Sequence, residues 1–191
     1  HIHDESISDP LSLVSESLQD APEVLASAIN FYARRDDSSW RDLARSAARK
    51  HADQNHLQRR AAEAVLDEAM FSQDMIIGAV SGSDIEVQDL RDAVAVLQSL
   101  WSELLETEGH LTDSSLPHNL SVALWGLREI SAAALVLDQA LERCANTEEL
   151  RELRAAMYLE AGELDAAQQL IGSRPPRPGL SIMLAQTFVS N

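Results

Sequence analysis

One cysteine, Cys144, is all the sequence holds, so no disulfide within the chain can staple a fold and no cysteine spacing suggests a metal knuckle. That usage fits a reducing compartment, and a cytoplasmic location is expected. Long apolar runs are also missing. None approaches the roughly 18 residues of a membrane span, and the N-terminus is too polar for a signal peptide. The sequence starts at His1 rather than Met, so it reads as continuing from a longer chain. Aromatic residues make up only 4 %, and 7 Gly and 6 Pro stand mostly where helices should stop, while Ala and Leu abound; strands are not expected.

Positive charge is scarce as well. Against 15 Lys and Arg stand 31 Asp and Glu, a net charge of -16, which opposes general attraction to phosphate backbones or anionic lipid. A basic or amphipathic protein partner is favoured and nucleic acid is disfavoured. Catalytic patterns are absent too. No glycine-rich loop follows a strand, no HExxH or CxxC occurs, and no Ser, His and acid arrangement has a family spacing, so the expectation is no enzyme and no cofactor. Acids such as Glu103, Glu106 and Glu108 read as a solvated helix face. His1 and His3 alternate without a third ligand, and His51 and His56 lie about 140° apart around a helix, so no metal site is expected.

Helices are what remains. Residues 1–9 read as a disordered tail. Asp9 before Pro10 is a start signal for a short helix to about Gln19, and Asp20, Pro22 and Glu23 repeat it with a capping-box acid. Val24, Leu25, Ala28, Ile29 and Tyr32 stripe the next helix, which should end near Arg35. A further helix from Ser38 or Ser39 buries Trp40, Leu43, Ala44 and Ala47. Its Arg41, Arg45 and Arg49 form an outward basic ridge. After a break at 51–55, Leu57, Ala61, Val65, Leu66 and Ala69 point inward, with Arg59, Arg60, Glu63 and Asp67 outward. Segment 34–60 carries eight basic residues against four acids, formally +4, which leaves -20 for the remainder.

Helical hairpins are thus expected over 10–81, with a boundary at the Ser-Gly-Ser run 81–83. A long connecting helix over 83–109 opens on a Ser83/Glu86 capping box, is striped by Ile85, Leu90, Val94, Leu97, Trp101, Leu104 and Leu105, and ends at Gly109 as a left-handed C-cap. Cys144, near a helix C-terminus, sees the negative dipole end, which disfavours thiolate. The prolines of 173–179 break helix, and a nearly all-apolar helix over 179–191 should cap the array or bind a second copy.

The region 114–172 repeats itself. Leu124 and Tyr158, Ile130 and Leu164, Ala133 and Ala167, and Leu137 and Ile171 each lie 34 positions apart. A helix that buries one stripe against its neighbour, and does so again one unit later, reuses residue sizes at matched offsets. Helix starts are expected at Pro117, at Ser131 as a cap and at an Asn146/Glu149 capping box; Gly162 reads as a C-cap. With Ala155, Tyr158, Gly162, Ala167 and Ile171 at its small and large positions, the region resembles a pair of tetratricopeptide repeats. It departs from that pattern at Ser121, Arg128 (where a turn glycine is usual), Ala145, Arg154 and Arg174.

The resemblance implies an all-α fold, a right-handed array of antiparallel helical hairpins or α-solenoid with irregular N-terminal helices. It also implies a concave groove lined by the first helix of each unit: His118, Val122 and Trp125, then Glu149, Glu152, Ala156 and Leu159. Trp125 falls just off the Leu120/Leu124/Leu127 stripe, so it serves either as an exposed anchor or as core. The function expected is a protein-interaction scaffold or chaperone-like adaptor that takes a partner peptide or helix in an acidic groove. The alternative is a regulatory domain that touches nucleic acid or another anionic partner through Arg41, Arg45, Arg49, Arg59 and Arg60, though the net charge and the four interleaved acids favour pairing of that ridge with the acidic remainder of a neighbouring copy.

Overall fold

A computed structural model describes residues 9–71, 87–107, 109–145 and 147–172. The expectations for the tail, for the 81–83 boundary with its Ser83/Glu86 box, for Asn146 and for the 179–191 helix lie outside these residues. Among the described residues the chain is all helical: α1 (Pro22–Arg34), α2 (Ser39–Lys50), α3 (Asn55–Phe71), α4 (Val87–Thr107), α5 (Ser115–Gly126), α6 (Ile130–Arg143), α7 (Glu148–Glu160) and α8 (Leu164–Ile171). Two compact units divide within α4, after Leu100.

The first unit opens on two short 3-10 turns, Pro10–Leu13 and Glu16–Leu18, instead of one α-helix. Asp9 caps the first as its sequence promised, accepting from the Leu11 amide at 2.9 Å. The same carboxylate oxygen accepts from the Tyr32 hydroxyl on α1. That bond holds the neutral phenol, and with some burial it pushes the Tyr32 pKa up to about 12 from 10.0. A folded pKa above the unfolded value means the contribution is complete below about pH 10 and is lost as pH rises towards 12. An absorbance titration of wild type minus Tyr32→Phe should therefore show the tyrosinate step near pH 12. A step near pH 10 would mean that the Asp9 contact is absent in solution.

The expected capping box at α1 does not form. Ala21 is the N-cap and Pro22 supplies the start, while Asp20 turns to the end of α2. There it accepts from Lys50 Nζ at 2.7 Å, which holds its carboxyl below the usual range, and its carbonyl meets His51 Nε2 at 2.8 Å. Asp37, rather than Ser38, supplies the side-chain bond at the start of α2, accepting from the Ser39 amide at 3.0 Å. The core of this unit is Leu25 and Ile29 from α1, Trp40, Ala44 and Ala47 from α2, and Leu57 and Ala64 from α3. These are the stripes that a 3.6-residue period assigns, with α1 packed on α2 and α2 on α3.

In the second unit α5 packs on α6, α6 on α7 and α7 on α8, and one turn is used twice. Arg128 (φ 65°) and Gly162 (φ 77°) are both left-handed and 34 residues apart. Every bond of the turn recurs at that offset. Leu127 and Ala161 amides donate to Ala123 and Met157; Arg128 and Gly162 to Trp125 and Leu159; Glu129 and Glu163 to Leu124 and Tyr158; Ala133 and Ala167 to Glu129 and Glu163, all at 2.8–3.1 Å. The N-caps are accordingly Glu129 and Glu163, so Ser131 lies inside α6. α5 starts at Ser115, which places Pro117 in its first turn, and α7 follows Thr147 without a side-chain cap. Gly109 is not left-handed. The chain after α4 instead forms one bridge, the Leu111 amide to Arg143 O at 3.0 Å and the Ala145 amide to Leu111 O at 2.9 Å.

A left-handed arginine carries a strain of about 1–2 kcal/mol that glycine escapes, partly offset by glycine's greater entropy loss. Arg128→Gly and Arg128→Ala both forfeit the side chain, so the comparison isolates the backbone. The glycine variant should be more stable by about 0.5–1 kcal/mol in urea unfolding. Gly162→Ala should lose about 1 kcal/mol even though a Cβ there meets nothing within 4 Å. Equal stabilities across both comparisons would contradict the left-handed turn.

Candidate functional site

The expected groove face is divided by burial. His118 and Val122 on α5 are half-buried, Glu149 on α7 is exposed and Glu152 half-buried, so these four remain within reach of a partner. Trp125, Ala156 and Leu159 are 3 %, 5 % and 4 % exposed and belong to the core. The reason is visible at Trp125. Its indole Nε1 donates to Glu160 Oε2 at 2.5 Å, while Glu160 Oε1 accepts from Arg128 Nη1 at 2.9 Å. A buried indole needs an acceptor for its N–H, and the end of α7 provides one, so the core role is the one Trp125 takes.

Arg154 is also accounted for. Its guanidinium meets both carboxylate oxygens of Asp138 on α6, at 2.9 and 3.3 Å, and stacks 4.1 Å from the centre of the Tyr158 ring. On α7 itself Glu148 and Glu149 occupy the first turn, where the helix dipole favours negative charge. The exposed rim of this face is therefore acidic.

The outward basic ridge takes a different form. Arg41 Nε meets Asp67 at 2.6 Å, and Arg45 pairs with Glu68 and, at 3.8 Å, with Asp42. Arg59 Nε and Arg60 Nη1 converge on the two oxygens of Glu63, at 2.9 and 2.5 Å. The Arg60 guanidinium also lies 5.2 Å from the Trp40 ring centre, and its Nε is buried without a hydrogen bond. Glu63, expected outward, is 9 % exposed. Three acids of α3 thus take up basic charge of the α2–α3 seam within the chain. Only Arg49 of the five is exposed and outside any ion pair among the described residues.

Above that seam α2, α3 and α4 enclose an open cleft of about 830 Å³. Each helix contributes residues at helical spacing: Arg45, Ala48 and Arg49; Gln58, Ala61, Ala62, Val65 and Glu68; Asp89, Asp92, Ala93 and Val96. The floor is methyl groups and the rims are charged. Sequence periodicity assigned inward and outward faces to these helices but gave no cue that three faces would meet.

Cys144 is buried at the end of α6, and burial, with the Asp113 carboxylate nearby, pushes its thiol up. It stays protonated at neutral pH. Among the described residues no three His, Cys, Asp or Glu side chains gather as a cation site, and no helix is long and apolar enough to cross a membrane. No protein-family model, no curated protein and no solved structure matches this chain.

Proposed function

We propose that the chain is a protein-interaction scaffold, a chaperone-like adaptor whose second unit is a tetratricopeptide-like array of stacked helix pairs. The observation that carries this reading is the inter-helix turn, repeated bond for bond at 34 residues around Arg128 and Gly162. A turn reused at a fixed offset stacks successive helix pairs with one geometry, and arrays built this way offer their first helices as a continuous binding face. The face here is α5 and α7, with His118 and Val122 beside the acidic rim of Glu149 and Glu152. It suits a basic peptide or amphipathic helix. A net charge of -16 adds long-range attraction for such a partner. Location in the cytoplasm and self-association through 179–191 belong to the same proposal.

A fluorescein-labelled basic amphipathic peptide titrated against the protein tests it. Charge reversal with Glu149→Lys and Glu152→Lys should weaken binding about tenfold, and raising salt to about 0.5 M should do the same because exposed charges are screened. Affinity unchanged in both arms would remove the α5/α7 face as the binding surface. The nucleic-acid reading of segment 34–60 has less to draw on, since Arg41, Arg45, Arg59 and Arg60 already sit on carboxylates.

A further inference from the structure

The cleft of the first unit is a second surface, separate from α5 and α7 and independent of the reading above. We propose that it docks one amphipathic helix from a partner protein, apolar stripe down and a row of lysines or arginines along α4.

Three features point to that occupant. The floor is made of small side chains, Ala48, Ala61, Ala62 and Ala93, which let another helix approach closely. The α4 wall presents Asp89, Asp92, Ala93 and Val96, spaced i, i+3, i+4, i+7, which covers two turns or about 10 Å. A guest helix of two to three turns matches that length. The rims carry opposite charge that the protein does not use itself. Asp89 and Asp92 are exposed and in no ion pair among the described residues, Asp92 accepting only from Gln88 Nε2 at 2.8 Å. Arg49 stands exposed on the α2 side. Arg45, by contrast, is held by Glu68, so the α2 rim offers a single free cation and the α4 rim two free anions. A guest with basic residues on one flank and one acid on the other satisfies both rims. Of the polar lining, Gln58 donates to the Ala48 and His51 carbonyls and Arg45 pairs with Glu68, so the groups left to a guest are the charges on the two rims, which suits a helix better than a metabolite.

The test uses the full chain and a helix-stapled, fluorescein-labelled peptide of four turns, with leucines at i, i+3, i+4 and i+7 and lysines on the flank. Asp89→Lys with Asp92→Lys should weaken its binding at least about tenfold, and Asp89→Asn with Asp92→Asn by a smaller factor while keeping α4 free of new charge. A second peptide with glutamates in place of the lysines should regain the lost affinity on the lysine variant. Glu149→Lys with Glu152→Lys should leave cleft binding within about twofold, read by amide-exchange protection of α3 and α4, so this surface and the α5/α7 face fail or survive separately. No saturable binding, an unchanged affinity in the Asp89/Asp92 variants, or no recovery with the glutamate peptide would overturn the proposal. Protection of the cleft by small apolar fragments but not by the peptide would overturn it in favour of a small-molecule pocket.

Discussion

Glu63→Ala is expected to destabilise the first unit by about 2–4 kcal/mol. Removing one member of a fully buried ion pair costs about 3–5 kcal/mol because the abandoned charge stays out of water. Glu63 is the shared acceptor of two cations, and its loss removes one carboxylate contact from each of Arg59 and Arg60. The guanidinium side chains are 24 % and 26 % exposed, so water recovers part of the loss, which sets the lower figure. Arg60 is the worse placed of the two, with its Nε already buried and its plane against Trp40. Glu63→Gln keeps the shape and one acceptor and should lose less. Amide exchange of α2 and α3 through a urea series reports this unit alone. A loss under about 0.5 kcal/mol, the size of an ordinary surface change, would show that the seam is open to water.

Trp125→Ala should cost the second unit about 3–5 kcal/mol, the range for truncating a buried tryptophan. Trp125→Phe keeps most of the ring volume but gives up the indole N–H to Glu160 and leaves that carboxylate short of a donor. A loss of about 1–2 kcal/mol is expected there. The series also decides between the two roles the residue could have had. An anchor exposed in a groove would cost partner affinity and leave unfolding almost unchanged. A core residue shifts unfolding whether or not a partner is present.

How far the sequence carried depended on whether the determining contact was periodic. Apolar stripes are, which is why Leu25, Ile29, Trp40, Ala44 and Leu57 were placed correctly, and why the 34-residue offset located the turn at Arg128 in spite of its residue type. Glu63 was misplaced because an acid three and four positions after arginines looks the same on a solvated face as in a seam; only the proximity of α2 distinguishes them. The cap expected at α1 failed for a related reason. Asp20 had the right identity for capping α1, but Lys50 and His51 competed for it from thirty residues away. Of the expected groove face, His118, Val122, Glu149 and Glu152 remained reachable. Trp125, Ala156 and Leu159 did not, since how deeply α5 sits against α7 is a packing outcome. Glu160 escaped notice altogether: its counterpart one repeat earlier is Gly126, which has no side chain to betray the role.

That asymmetry has an effect on the order of assembly at the ribosome. α5 and α6 emerge before Glu160, so the indole of Trp125 must wait, its N–H turned to water, until the last turn of α7 leaves the exit tunnel. The earlier helix pair is thereby completed by the later one, and a nascent chain stalled in α7 would present an aromatic surface that the finished protein conceals.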